Sequence, residues 1–371
     1  MDNVLTLIDL YDETDLGLLT RDRSLASTTF LGRYTFIDFV LSNLNNSGID
    51  EIGILVKDHL NSLHKHLGNS NAYLKNPKTG FLSLFINEYG IINPVFNTDI
   101  NNIKSNDYFL YDSNTKYVLI TNCNFIMKMD YSKIIDEHIK SGQRASIVYT
   151  EVKDGSEFPN AVKIIGDSLN CVQKFYHSSS KTKCNVCLDT LVIDRQLFMD
   201  MLNKSSNLSI ILKVTDLVEY IAKYVAKMNL IKYEGFVKHF DSFKNYYKYS
   251  MQILKDVDTL KTLLTDPNWL YYTTTHDSRP VIYGTNADVS DSLIANGSTI
   301  NGTVKNSILA RGVLVEEGAT VEDSIIFTHC VIKAGTHLKH VVADKRVNFI
   351  SGKEIKGTEE EPLFFPRGVN V

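Results

Sequence analysis

The amino-acid sequence predicts an α/β fold built in two parts. A domain with a mostly parallel sheet spans residues 1–264, a linker or strap 265–284, and a left-handed parallel β-helix 285–371. Two observations carry this reading. Through about residue 150, short apolar runs alternate with amphipathic helical patterns, the order of βαβ units. Beyond about residue 285 the chain repeats itself in six-residue steps, the signature of a hexapeptide β-helix.

The first run, 4–8 (Val4-Leu5-Thr6-Leu7-Ile8), reads as a buried strand. The segment from 9 to 17 then stands where a phosphate-binding turn would lead from a strand into a helical segment. Such a turn needs glycine for close backbone approach and a basic side chain for charge. Here four carboxylates, Asp9, Asp12, Glu13 and Asp15, occupy it. A helix is expected over 36–45, where Ile37, Val40, Leu41 and Leu44 share one face and Ser47-Gly48 ends it. Strands are expected at 52–56, 117–121 and 145–150, with helices at 61–67 and 131–140 between them. A hairpin suits 161–175. The spacing predicts one helix over 215–228, with Leu217, Val218, Ile221, Tyr224, Val225 and Met228 on its apolar side, and further helix over 241–264. Asp266-Pro267 and Arg279-Pro280 bracket a Tyr/Thr tract with no periodicity, hence the linker.

Four segments then share one pattern: Val289-Ser290-Asp291-Ser292-Leu293-Ile294, Val304-Lys305-Asn306-Ser307-Ile308-Leu309, Val321-Glu322-Asp323-Ser324-Ile325-Ile326 and Leu338-Lys339-His340-Val341-Val342-Ala343. Their spacing of 15, 17 and 17 residues fits three faces of about six residues per coil, so four coils are expected.

Composition bounds the function. The 371 residues carry 39 Lys and Arg against 43 Asp and Glu, a net charge of −4, which argues against nucleic acid as the main partner. No apolar run reaches the roughly 18 residues of a membrane span, and Met1-Asp2-Asn3 opens without a basic leader, so a cytoplasmic protein is expected. Five cysteines, an odd number, point to reduced thiols. Cys184-Asn185-Val186-Cys187 has the spacing of half a zinc site, but no second pair accompanies it.

The run Leu19-Thr20-Arg21-Asp22-Arg23, then Phe30-Leu31-Gly32-Arg33-Tyr34-Thr35-Phe36-Ile37-Asp38-Phe39-Val40-Leu41-Ser42-Asn43, then Asn46-Ser47-Gly48-Ile49, resembles the bacterial ADP-glucose pyrophosphorylase (glucose-1-phosphate adenylyltransferase) family. That family reads LTxxR, FGGKYRIIDFxLSN and NSGI without a gap. Ser62-Leu63 with His66, Lys128 with Asp130-Tyr131, and the β-helix extend the match nearly end to end. The resemblance implies a Rossmann-like, GT-A-like nucleotidyltransferase domain before the β-helix. It also implies the reaction of ATP with glucose 1-phosphate to ADP-glucose and diphosphate, in glycogen biosynthesis.

The positions that would carry that chemistry depart from the family. Its GGxGTRL loop falls on Leu10, Tyr11, Asp12, Glu13, Thr14, Asp15 and Leu16, so three glycines are lost and its arginine is Asp15. The lysine of RAKPA is Leu25. The aspartate of LAGDHIY, which holds magnesium, is Asn124, and that of WRDVGT is His239 in the alignment supported by Tyr246 and Tyr247. A hard divalent ion needs carboxylate charge that neither residue supplies. In the base-binding YRGTADA segment, here Val95-Phe96-Asn97-Thr98-Asp99-Ile100-Asn101, only Thr98 persists. Lys174 matches the sugar-phosphate lysine of FVEKP, and Arg33 matches the lysine of FGGKY near the activator site, where a guanidinium suits a phosphorylated metabolite.

No intact catalytic residue and no resident metal are therefore expected. The chain resembles the non-catalytic, regulatory-type subunit that joins a catalytic subunit in a heterotetramer; self-association is the other arrangement open to it. Two alternatives stand beside this reading. An active nucleotidyltransferase would use Mg²⁺ on relocated ligands such as Asp12, Asp15 or Asp241. A hexapeptide acyltransferase would use His329, His337 or His340.

Overall fold

A computed structural model describes residues 4–68, 71–78, 80–275 and 277–371. Met1-Asp2-Asn3, read above for a leader, and His276 of the linker lie outside the described residues. The chain forms two compact units: Met1–Glu13 with Phe39–His239, and Thr14–Asp38 with Phe240–Val371.

In the first unit, the strand Val4–Asp9 is buried at every position and pairs in parallel with Glu51–Val56 on one side and Tyr117–Thr121 on the other. Continuous apolar runs without alternation are what a strand covered on both faces requires. Glu51–Val56 pairs onward, again in parallel, with Phe81–Ile86. The long strand Cys184–Asp194 runs antiparallel to Tyr117–Thr121, Ala145–Val152 and Lys163–Gly166. It slips register between Cys187 and Leu191, and Asp189 there takes φ 46°, a bulge that re-aims its side chain. Because Val4–Asp9 leads to Glu51–Val56 on one side and Tyr117–Thr121 lies on the other, the sheet order reverses at the C-terminal end of the first strand. Open α/β sheets place ligands at such a switch point.

The expected strands and the hairpin (Lys163–Gly166 with Val172–Tyr176) are present, as are helices Phe36–Asn46, Leu60–Leu67 and Tyr131–Ser141. The strand Phe81–Ile86 was not foreseen, nor were the helices Glu88–Ile92 and Asp99–Ser105, which are too short for a helical period to register. The single helix expected over 215–228 is corrected: Val214–Tyr220 passes into a π-turn, Ile221–Val225, and Met228–Lys232 is a strand parallel to Ala145–Val152. Tyr224 is exposed and Met228 fully buried in the sheet. Hydrophobic spacing ran across the junction because no Gly or Pro marks it; strand pairing decided it. The helix over 241–264 is likewise two, Phe243–Lys255 and Val257–Leu264, since Asp256 breaks the first and caps the second by accepting the N–H groups of Asp258 and Thr259 at 3.2 and 3.1 Å.

In the second unit, Phe30, Phe36 and Phe240 form a ring cluster with centroids 4.9 to 5.1 Å apart. Arg23 is buried and bonded to Asp344 by both guanidinium nitrogens, at 2.8 and 2.6 Å. The rest of this unit includes a left-handed parallel β-helix, with five strands on each of its three faces among the described residues, so the four coils expected become five. Pairing starts at Ile282 and continues through Glu354–Lys356 and Leu363–Phe365, where the side-chain pattern is too worn to read from sequence.

The repeat has a physical basis in two of its residues. Asp291, Asn306, Asp323 and His340 take φ 45–51° at one corner, a conformation that Asn and Asp tolerate better than most side chains. Beside them the hydroxyls of Ser292, Ser307 and Ser324 accept the N–H of Ser307, Ser324 and Val341 from the next coil at 3.1 Å each. The signature around residue 38 is equally structural. Asp38 accepts the Thr35 N–H at 2.8 Å, and Asn43 donates to the Met127 carbonyl at 2.9 Å.

Candidate functional site

The C-terminal end of the first strand marks the candidate site. Asp9, the last residue of that strand, is buried and accepts the Tyr11 N–H at 2.9 Å. Burial, and then the neighbouring Asp99, raise its carboxyl well above the usual range. Asp99 is also fully buried and accepts the Val214 N–H on both oxygens at 3.0 Å; desolvation pushes it up to about 6.

Tyr11, 6% exposed, turns its ring inward. The ring belongs to the hydrophobic cluster that includes Leu55, Phe85, Ile100 and Ile103. Its hydroxyl donates to Asn97 Oδ1 at 2.9 Å and accepts from Asn102 Nδ2 at 3.1 Å. Asn102 also donates to the Phe85 carbonyl at 2.9 Å and the Val56 carbonyl at 3.4 Å, at the ends of two neighbouring strands. The turn after the first strand is therefore pinned from inside the sheet.

Asp12 is held too. Lys213 Nζ meets its Oδ1 at 2.7 Å, and Asn124 Nδ2 donates to its backbone carbonyl at 3.0 Å. Two residues before Asn124 stands Asn122, whose Nδ2 donates to Asp189 at 3.0 Å. Burial is the main cause of the raised Asp189 carboxyl, and Asp12 adds to it as it does at Asp9 and Asp99. Lys213 is thus committed to Asp12, while the buried carboxyls of Asp9, Asp99 and Asp189 are all shifted toward their neutral forms.

The structure brings Asn124 and His239 together, because His239 pairs directly with Phe125 and its ring stacks on that phenyl at 4.5 Å and 22°. These two positions do not fit a magnesium ion: one is a neutral amide donating to a carbonyl, the other an imidazole flat against an aromatic ring. No group of three or more His, Cys, Asp or Glu side chains is placed to hold a metal among the described residues. Thr98 caps the helix Asp99–Ser105, its hydroxyl accepting the Asn101 N–H at 3.3 Å. Lys174 is exposed on the strand Val172–Tyr176.

Asp15, Leu25 and Arg33 belong to the second unit. Asp15 accepts the Gly17 N–H at 2.7 Å and the Thr20 hydroxyl at 2.8 Å, closing its own turn. The next element is one 3₁₀ turn, Gly17–Leu19, and not the helical segment expected after a phosphate loop. Leu25 is buried. Arg33 is exposed on the hairpin between Thr29–Phe30 and Tyr34–Thr35, its guanidinium 5.2 Å from the Tyr34 ring centre. Asp241, a possible substitute ligand, accepts from Asn245 Nδ2 at 2.5 Å.

Sequence reasoning missed Asn102, Asp189 and Lys213. The substitution of glycine by Tyr11 was visible, and a partner for its hydroxyl could have been sought among the asparagines at 97, 101 and 102.

A nucleotidyl transferase model matches residues 14–168, and a GlmU-like C-terminal hexapeptide model matches 280–362. The chain is 30% identical over 325 residues to glucose-1-phosphate adenylyltransferase of Clostridioides difficile, covering 85% of this chain and 82% of that one. The chain belongs to the glucose-1-phosphate adenylyltransferase family. Adenylyltransferases so named from Bacillus cytotoxicus (29% over 341 residues; 90% and 87% covered) and Bacillus cereus (28% over 348; 92% and 91%) align comparably. In this chain Asp38 and Asn43 make structural bonds, and the turn after the first strand is held through Tyr11 and Asp12.

Proposed function

We propose that this chain is a regulatory, catalytically inactive subunit of glucose-1-phosphate adenylyltransferase, acting in the cytoplasm in glycogen biosynthesis. It joins a catalytic subunit in a hetero-oligomer, a heterotetramer by the family's pattern, and shifts that partner's balance between states of different affinity. The observation that carries the reading is the Asn124 amide donating to the Asp12 carbonyl. The position where the family holds its metal is spent on securing the very turn that would otherwise cradle phosphate. Neither Mg²⁺ nor any other resident cofactor is needed for this role. Arg33, exposed beside Tyr34, is the residue we assign to a phosphorylated effector; Lys174 and Thr98 are remnants of the sugar-phosphate and nucleotide sites.

The acyltransferase alternative draws little support. His340 is bonded through Nδ1 to the Tyr247 hydroxyl at 2.7 Å, and His329 occupies a corner at φ 60°. The test is direct. The isolated chain, given Mg²⁺, ATP and glucose 1-phosphate, is expected to release no diphosphate above background, while mixing it with a catalytic subunit changes that subunit's substrate or effector response and gives a larger species on size exclusion. Diphosphate release by the isolated chain at the rate of a competent enzyme overturns the proposal.

A further inference from the structure

The polar groups around Tyr11 form a pattern that a nucleotide site would need for another purpose. An aromatic ring sits at the switch point of the sheet, inside an apolar cluster, with one carboxamide acceptor (Asn97 Oδ1, 2.9 Å) and one carboxamide donor (Asn102 Nδ2, 3.1 Å) at its edge. An acceptor and a donor side by side are what a carboxamide offers the edge of adenine, accepting from its amino group and donating to its ring nitrogen. We infer that Tyr11 is a built-in occupant of the nucleobase position, its ring and hydroxyl satisfying the apolar slot and the Asn97 and Asn102 amides that would otherwise receive an adenine. This rests on the non-catalytic reading above and specifies how the same site excludes nucleotide.

Three features support occupancy by design of the turn. Tyr11 is buried beneath its own loop, its N–H is fixed by Asp9, and Lys57 reaches its carbonyl at 3.5 Å. Asn97 is tied to the Lys57 carbonyl at 3.4 Å, and Asn102 to the two strand ends already described. A ring so held is not displaced by a ligand of modest affinity. The position is therefore held filled against weakly bound nucleotide, and a partner subunit meets the same surface whether such a nucleotide is present or absent.

The experiment uses the full chain without Mg²⁺, with adenosine and 4-methylphenol as probes, read by calorimetry and thermal shift. Wild type is expected to bind neither at millimolar concentration. Tyr11→Gly, which removes the ring, is expected to bind both, with a Tm rise of roughly 5 °C at ligand about 100-fold above Kd. Adding Asn97→Ala to that variant is expected to weaken adenosine at least about fivefold. Tyr11→Val, which keeps an apolar stub against the core, is run alongside in case the glycine variant does not fold. Adenosine binding by wild type overturns the inference, and so does a variant that takes 4-methylphenol but not adenosine, or failure of every folded variant to bind either probe. Diphosphate release by wild type is the separate outcome that overturns the non-catalytic reading; adenosine binding without turnover overturns only this inference.

Discussion

Two buried carboxyls, Asp9 and Asp99, determine how the candidate site behaves with pH. Asp99 titrates near 6 in the fold against about 3.9 in an unfolded chain, so the folded state binds more protons between those values. Its contribution to stability is full below about pH 4 and is lost as pH rises through 6, on the order of 3 kcal/mol. His138 acts oppositely in the same range: burial lowers its imidazole to about 4, and its stability contribution is lost as pH falls from 6.5. The two slopes offset in the wild type, so a difference measurement is needed. Asp99→Asn, which retains an acceptor for Val214, is expected to gain on wild type in melting temperature between pH 4 and pH 8; parallel curves would show that Asp99 is not a buried acid. Asn124→Asp tests the neighbouring position. It removes the donor to the Asp12 carbonyl and adds charge beside Asp12, so a loss of about 1–3 kcal/mol and no diphosphate release are expected, by denaturant titration and activity assay. Both positions were legible as substitutions. Their bonds were not, because Asp12, Asn124 and Lys213 meet only when distant strands align.

Among the elements, the β-helix was the most legible and the central helices the least. Its corner residues and serine hydroxyls repeat because each coil must end in a left-handed residue and hand an acceptor to the next. Ser324→Ala should cost about 1–3 kcal/mol, since Val341 loses that acceptor within the core, and Ser292→Ala less, since Ser292 is only half-buried in the first coil. Urea unfolding of the two variants checks the order. The fifth coil escaped notice because Glu354–Lys356 and Leu363–Phe365 lack the Asp-Ser pair while still pairing in register. The junction at Ile221–Val225 shows the converse: apolar spacing there fitted a helix, and pairing of Met228–Lys232 with Ala145–Val152 overrode it.

For the whole molecule, the segment Thr14–Asp38 belongs to the same compact unit as the β-helix, joined to it by the buried Arg23–Asp344 pair. Removing one partner of a buried bidentate pair leaves a charge uncompensated, so Arg23→Ala should destabilise by about 3–5 kcal/mol, whereas a matched apolar pair, Arg23→Met with Asp344→Leu, should recover most of that loss. Arg23→Lys should not rescue it, because an ammonium cannot make the forked contact. Chemical denaturation of the three variants distinguishes these outcomes. As a regulator, the chain is expected to shift a catalytic partner's half-saturating substrate or effector concentration by about 5- to 150-fold, the ordinary span of coupling between sites. Titration of the mixed subunits reads that shift.

The alternation of the first strands and helices, the β-helix and the substitution of the glycine-rich turn were determined by the sequence alone, because local spacing and side-chain type are sufficient for period, corner and phosphate chemistry. What fills the turn was decided by tertiary structure. Tyr11 finds Asn97 and Asn102, Asp9 finds Asp99, and Asn124 finds Asp12 only once parallel strands bring their C-terminal ends together. A hydrogen bond between residues about ninety positions apart leaves no local pattern along the chain to read.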